Sequence, residues 1–181
     1  EAKRLTELVN EILVVSQQNS TSKLNKTDFD FSELVESVVK KFDFDNSGYN
    51  FRRDVKKGLW VNADRHKIEQ VLFNFISNAV KYRRQAPQLD FRAEKRTNAV
   101  LLRIRDNGLG IPAQDLPRVF EKGFTGANGR KLGKSTGMGL YIVRKLCDKM
   151  SIAVEAASMP GESTTITLCF PLGDEYNLTK M

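Results

Sequence analysis

Residues 4–16, RLTELVNEILVVS, place apolar side chains at Leu5, Leu8, Val9, Ile12, Leu13 and Val15. Steps of three and four stack on one face of a helix, so the run predicts an amphipathic helix. The polar stretch SQQNSTSKLNKT that follows predicts a linker. DFDF at Asp28–Phe31 reads as a short edge strand. Ser32 reads as the cap of a helix in SELVESVVKKF, with Leu34, Val35, Val38, Val39 and Phe42 inward. YNFRRDV and GLWVN read as short strands around a Lys-Lys-Gly turn. Asp64 predicts the cap of a long helix whose stripe is Ile68, Val71, Leu72, Phe75, Ile76, Ala79 and Val80. QLDFRAEKR and AVLLRIRD alternate apolar and polar positions, with Leu89, Phe91, Ala93 and then Val100, Leu102, Ile104 on one side, and predict a hairpin turning at Thr97-Asn98.

After DNGLGIP, the segment AQDLPRVF predicts a short helix, and the glycine-rich basic run EKGFTGANGRKLGK predicts a mobile loop. GMGLYIVRKLCDKM predicts a helix. SIAVEAAS and STTITLCFP predict a last hairpin around Met159-Pro160-Gly161, and the tail after Pro171 is expected to be loose. Two hairpins among interleaved helices exclude an all-parallel sheet. The expected class is α+β: a two-layer α/β sandwich whose mixed sheet is covered on one face by helices, preceded by an N-terminal helix.

Composition narrows this picture. The chain has 181 residues, 40% hydrophobic and 28% charged, which reads as soluble and globular. No apolar run approaches the roughly 18 residues that span a bilayer, and no signal-peptide pattern opens the chain. It starts at Glu1, without Met and with a helix under way, so the expectation is a fragment of a longer protein. The net charge of +7 leaves two readings open, a solvated basic surface and attraction for an anion such as nucleotide, acidic partner or lipid. Basic residues cluster at Lys81, Arg83, Arg84 and at Lys122, Arg130, Lys131, Lys134. No aromatic-interleaved basic strand or recognition-helix motif points to nucleic acid. Cys147 and Cys169 lack metal spacing and read as reduced core residues in a cytosolic setting.

Three stretches carry chemistry. In FNFISNAVKY, Asn74 and Asn78 lie four apart on one helix face, with Lys81 and Tyr82 close behind. Carboxamide oxygen is a hard ligand suited to Mg²⁺, while solvent-facing Asn residues remain the plainer alternative. In DNGLG, Asp106 ends a strand as an acceptor that suits an exocyclic amine, and Gly108 and Gly110 let backbone approach a flat ring. A tight turn would look similar. In STGMGL, residues Ser135 to Leu140 open a helix, where free amides and partial positive charge suit phosphate, and Thr136 can cap. The spacing is not that of a P-loop or a dinucleotide fold. Taken in order, the three would surround one pocket, with base by Asp106, phosphates by Gly137 to Leu140, and a metal between phosphates and the Asn helix.

With these motifs in this order, the chain resembles the ATP-binding catalytic domain of bacterial sensor histidine kinases, which has the Bergerat ATP-binding fold. NFISNAVKY looks like the N box, RDNGLGIP the first glycine box, VFEKGFTG the F box and STGMGL the second glycine box. The run FEKGFTGANGRKLGKSTGMGLYIVRKLCDKM is most similar to kinases that sense envelope stress or peptide antibiotics.

The resemblance implies that ATP and Mg²⁺ are the cofactors and that Asn78 holds Mg²⁺, with Asn74 in support. Asn74, Asn78 and Lys81 would be the catalytic set. It places Tyr82, Ile111, Phe124, Thr125, Ser135, Gly137, Met138 and Gly139 by the nucleotide, with Lys122 and Lys134 among the lid cations. It implies the divisions 1–18 (end of a dimerisation-bundle helix), 19–27 (linker), 28–172 (ATP-binding domain) and 173–181 (tail). It implies partners too: the chain's own dimerisation domain with the phosphoacceptor His, a response regulator, and a second copy in a homodimer. No nucleic acid is implied. The parent would be an inner-membrane protein with this part in the cytoplasm. Hydrolases of the same fold carry Glu where this chain has Asn74, and a carboxamide cannot take a proton from water. His66, in ADRHKIEQV, lacks the acceptor context and reads as a surface residue, so the acceptor is expected outside this chain. A regulatory ATP-binding module and a slow ATPase stand as alternatives.

Overall fold

A computed structural model describes residues 23–42, 48–133 and 135–173. The expected helix at 4–16, most of the linker, Lys134 and nearly all of the tail lie outside the described residues. Elements follow in the order β1 (Thr27–Asp30), α1 (Phe31–Phe42), β2 (Asn50–Asp54), β3 (Trp60–Ala63), α2 (Arg65–Lys81), β4 (Gln88–Lys95), β5 (Ala99–Asp106), a 3₁₀ turn (Leu116–Arg118), α3 (Ala127–Leu132), α4 (Gly139–Lys149), β6 (Ala153–Met159) and β7 (Ser163–Pro171).

Five strands form one mixed sheet in the order β2-β4-β5-β7-β6. β2 runs parallel to β4, and the other neighbours are antiparallel. The alternation read in β4 and β5 holds. Leu89, Phe91, Ala93, Val100, Leu102 and Ile104 are buried, and Ile166, Leu168 and Phe170 of β7 extend that face. Helices α1, α2 and α4 supply the opposite wall of the same core through Leu34, Val38, Ile68, Leu72, Ile76, Val143 and Leu146. Phe31 at the start of α1 meets Phe170 of β7 with ring centres 5.4 Å apart. The expected two-layer sandwich is therefore the observed one.

Local details differ from the sequence reading. β2 and β3 do not pair across the Lys-Lys-Gly turn. β3 instead pairs antiparallel with β1 in a separate two-stranded sheet, while β2 joins the edge of the large one. The β1–β3 register is set by burial of Phe29, Val61 and Ala63 on one side. Ser32 is not the cap of α1. Asp30 takes that role, its carboxylate accepting the Ser32 amide at 2.9 Å, while Ser32 is buried inside the first turn. AQDLPRVF forms only a 3₁₀ turn, consistent with Pro117 early in it. Part of the expected loop EKGFTGANGRKLGK is the helix α3.

Asp64 does cap α2. Its Oδ1 accepts the His66 and Lys67 amides at 3.1 and 3.2 Å, and its Oδ2 accepts the Asn25 amide at 2.9 Å. The carboxylate thus ties the segment before β1 to the start of the longest described helix. Asp64→Ala is expected to lower the unfolding free energy by about 1–2 kcal/mol in a urea titration.

Candidate nucleotide site

α2, the β5 end, the segment after it and the start of α4 enclose one cavity of about 760 Å³. α2 supplies Asn74, Asn78 and Lys81 to its wall, with Tyr82 just past the helix end. The Asn pair stands one turn apart because the helix must bury Phe73, Phe75, Ile76 and Ala79 on its core face. Asn74 is 2% exposed. Its Nδ2 donates to the Gln70 carbonyl at 3.0 Å, which satisfies the amine within the helix. Its Oδ1 stands beside Gly139, where an added Cβ would come within 3.0 Å of it. The carboxamide oxygen therefore faces the beginning of α4.

Asp106 closes β5 and lines the cavity. Burial pushes its carboxyl above the usual carboxylate range, against the amides of Gly108 and Thr164 and the charge of Arg105, which pull it down. The Gly108 amide donates to Asp106 Oδ1 at 2.8 Å. Gly108 itself is packed too tightly for a side chain, since a Cβ would lie 2.6 Å from the Tyr82 carbonyl oxygen. Lys81 is partly buried, and that burial lowers its ammonium pKa.

The loop from Asp106 to Ile111 is pinned from three sides. Leu109 N–H donates to the Tyr82 carbonyl at 2.9 Å, and Gly161 N–H donates to the Leu109 carbonyl at 2.7 Å. Ile111 N–H donates to Ser158 Oγ at 2.8 Å. Arg84 bridges outside, from Nε to the Asn107 carbonyl at 2.9 Å and from Nη2 to the Glu162 carbonyl at 3.3 Å. At the far end, Gly137 adopts a φ of +65°, and its carbonyl accepts the Gly123 amide at 3.0 Å. α4 then begins at Gly139 with Met138 at its N-cap and no side-chain cap, so Thr136 does not cap it as expected.

Of the residues singled out in the sequence, Asn74, Asn78, Lys81, Tyr82, Asp106, Gly110, Ile111, Phe124, Thr125, Ser135, Thr136, Gly137, Gly139 and Leu140 border the cavity together. Gly108 and Met138 lie behind the wall. Lys122, Arg130 and Lys131 are exposed and do not border it. Arg130 turns its Nη1 to the Thr125 carbonyl at 2.6 Å. His66 is exposed in the first turn of α2, as read. Asp115, Asn128, Ser77 and Thr164 border the cavity and were not foreseen, and Arg83, read only as part of a basic cluster, borders it too. Asp115 and Asn128 carried no spacing signal, because their partners lie on segments that only the fold brings near. Ser77 lies between the two Asn residues and was within reach of the helix pattern, while Arg83 lies just past the helix end.

Among the described residues, no group of three or more His, Cys, Asp or Glu side chains is arranged for a metal. A cation here would rest on carboxamide oxygen, phosphate and water. Mg²⁺ accepts that donor set, and the orientation of Asn74 Oδ1 toward Gly139 fits it. No described helix is long and apolar enough to cross a membrane.

Comparison with known proteins agrees with this geometry. The profile of the histidine kinase-, DNA gyrase B- and HSP90-like ATPases matches residues 63–174. The chain is 30% identical over 177 residues to the sensor protein kinase WalK of Staphylococcus aureus (strain MRSA252), covering 94% of this chain and 29% of that protein. It thus spans less than a third of the length of that relative. The catalytic domain of histidine kinase ThkA superposes with a TM-score of 0.70 at 24% identity, over 81% of this chain and 97% of that domain. The Acinetobacter baumannii histidine kinase AdeS superposes with a TM-score of 0.66 at 26% identity, over 91% of this chain and 76% of that one. With its Asn helix, its glycine-bounded cavity and a family match over more than half its length, the chain belongs to the histidine kinase-, DNA gyrase B- and HSP90-like ATPases.

Proposed function

We propose that this chain is the ATP-binding catalytic domain of a sensor histidine kinase, and that it transfers the γ-phosphoryl group of Mg·ATP to a His outside this chain. The observation that carries the reading is the composition of one cavity wall: a half-buried Asp106, a glycine-rich helix start and the pair Asn74 and Asn78 together. Asp106 accepts the exocyclic amine of adenine. The free amides at the start of α4 receive phosphate, where the helix dipole favours negative charge. Asn78, with Asn74 beside it, would hold Mg²⁺, which supplies charge neutralisation of the phosphates when bound. Lys81 adds a cation on the same wall.

Catalysis of this kind is mostly positioning and electrostatic stabilisation. Asn74 has no basic oxygen to deprotonate water, which favours a protein acceptor over hydrolysis. The partners that follow are a helical dimerisation domain carrying the acceptor His, a second copy of the parent chain, and a response regulator that takes the phosphoryl group onward. The parent would be membrane-anchored with this domain on the cytoplasmic side.

Mixing the protein with a helical bundle bearing the acceptor His and γ-labelled ATP is expected to label the bundle in an acid-labile, alkali-stable form that requires Mg²⁺. ATP binding with no label on any bundle would sink the kinase reading and leave a regulatory binding module. Multiple-turnover phosphate release by the chain alone, lost in Asn74→Ala, would favour a hydrolase.

A further inference from the structure

Helix α3 begins without a capping side chain of its own. Its N-cap is Gly126, in extended backbone at φ −60° and ψ 179°. The first free amide, Ala127 N–H, donates instead to Asp115 Oδ2 at 2.8 Å, across twelve residues of chain. Asp115 is 7% exposed. A Cβ at position 126 would stand 2.8 Å from that same oxygen, so the glycine is what admits the carboxylate. A carboxylate bonded to a helix-start amide is a charge-assisted contact aligned with the helix dipole.

One residue on, Asn128 Nδ2 donates to the Gly110 carbonyl at 2.8 Å. Both receiving groups sit on constrained backbone. Gly110 is wedged against Met159 and Pro160. The Asp115 amide donates to the Pro112 carbonyl at 2.9 Å, and the Asp115 carbonyl accepts the Arg118 amide at 3.0 Å. The start of α3 is therefore fastened twice, by side chains, to the loop that holds Asp106 and to the segment just after it.

We propose that Asp115 and Asn128 are positioning residues that hold the helix α3 against the loop bearing Asp106, and that these two bonds slow the release of a bound nucleotide. The ligand in this statement rests on the nucleotide reading above; the two bonds do not. The effect is on how long a nucleotide is retained, because α3 supplies Ala127, Asn128, Gly129 and Leu132 to the cavity wall and its detachment uncovers the cavity.

Trypsin cuts after Arg130 and Lys131, both exposed on α3, and cleavage there requires local opening. In Asp115→Ala, nicking at these two bonds is expected to accelerate roughly tenfold relative to the rest of the chain, the size of one charge-assisted bond. Dissociation of a fluorescent ATP analogue should quicken by a similar factor, with association little changed. Asp115→Asn keeps an oxygen acceptor and should recover most of both effects, while Asn128→Ala reproduces them more weakly. Unchanged nicking at Arg130 and Lys131 in both alanine variants overturns the proposal. Acceleration spread equally over all cleavage sites overturns it too, since that reports general unfolding. If Asp115→Ala does not fold, Asn128→Ala against the unaltered protein gives the same decision. Failure of the unaltered protein to bind the analogue overturns the nucleotide reading, and the nicking comparison then still decides the fastening.

Discussion

Gly110→Ala is expected to lower the unfolding free energy by about 3 kcal/mol or more and to abolish measurable nucleotide binding. Two effects add. Gly110 has a φ of +70°, a conformation that costs an L side chain roughly 1–2 kcal/mol. The new methyl would also meet the Met159 carbonyl oxygen at 2.3 Å and Pro160 Cα at 2.9 Å, both backbone atoms that no rotamer change can clear. Forcing such a contact costs typically about 1–3 kcal/mol through backbone shifts. Here the shift would separate the Asp106–Ile111 loop from the β6–β7 turn and break the 2.7 Å bond from Gly161 N–H to the Leu109 carbonyl.

Gly161→Ala is the matched control. Gly161 has a φ of +77° but nothing within 4 Å of an added Cβ, so it carries the strain without the collision. Chemical denaturation of the two variants should differ by at least about 1 kcal/mol, the lower bound of the collision. Equal losses would mean that the contact with Met159 contributes nothing.

Asp106→Asn is expected to weaken ATP binding by roughly 10- to 100-fold, the worth of a hydrogen bond to a charged group, without loss of thermal stability. The second half follows from burial. Desolvation raises the Asp106 pKa above that of an ordinary carboxyl group, so the folded protein holds this proton more tightly than the unfolded chain. Such a group contributes stability that is fully present below the unfolded pKa and is lost as pH rises through the folded one. At neutral pH the ionised carboxylate is therefore a burden on the fold, and a neutral carboxamide of the same shape relieves it.

The melting temperature of Asp106→Asn should match or exceed that of the unaltered protein at pH 7. The gap should close as pH falls toward the ordinary carboxylate value. Affinity of the unaltered protein for ATP should fall over the same acidic window, as the acceptor is protonated. Calorimetry against pH reads both. A variant that binds ATP as well as its parent, or that melts well below it at pH 7, would contradict the assignment of Asp106 to the base.

Cys147 offers a contrast in which burial serves only packing. It sits fully buried on α4, and that burial pushes its thiol up to about 12.

Much of this molecule was legible along the chain. The alternation of Leu89, Phe91 and Ala93 against Val100, Leu102 and Ile104 named both the hairpin and its buried face, because a strand exposes alternate residues to opposite sides whatever it pairs with. The stripe from Ile68 to Val80 named α2, and Asp64 named its start. The order of Asn74–Asn78, Asp106–Gly110 and Thr136–Leu140 named the walls of one site, since each motif lies at the end or on the face of an element the pattern had already supplied. Short elements were harder. The helix α3 is six residues long, too few for a period to show, and its capping partner is twelve residues away. β2 and β3 were joined by a plausible turn, yet each found a different partner, because a strand of four or five residues takes its place from the surface it covers.

From the sequence by itself come the fold class, the exposed and buried faces and the three motifs of the site. These depend on local geometry and on which side chains water rejects. Only the tertiary structure decided that Asp115 caps a helix it does not belong to, that Asn128 reaches the Gly110 carbonyl, that Lys122, Arg130 and Lys131 stay off the cavity wall, and that Gly110 has no room for a methyl group. Each is a contact between segments far apart in the chain. Such contacts form only after the sheet and helices have closed on one another, and no spacing rule records them in advance.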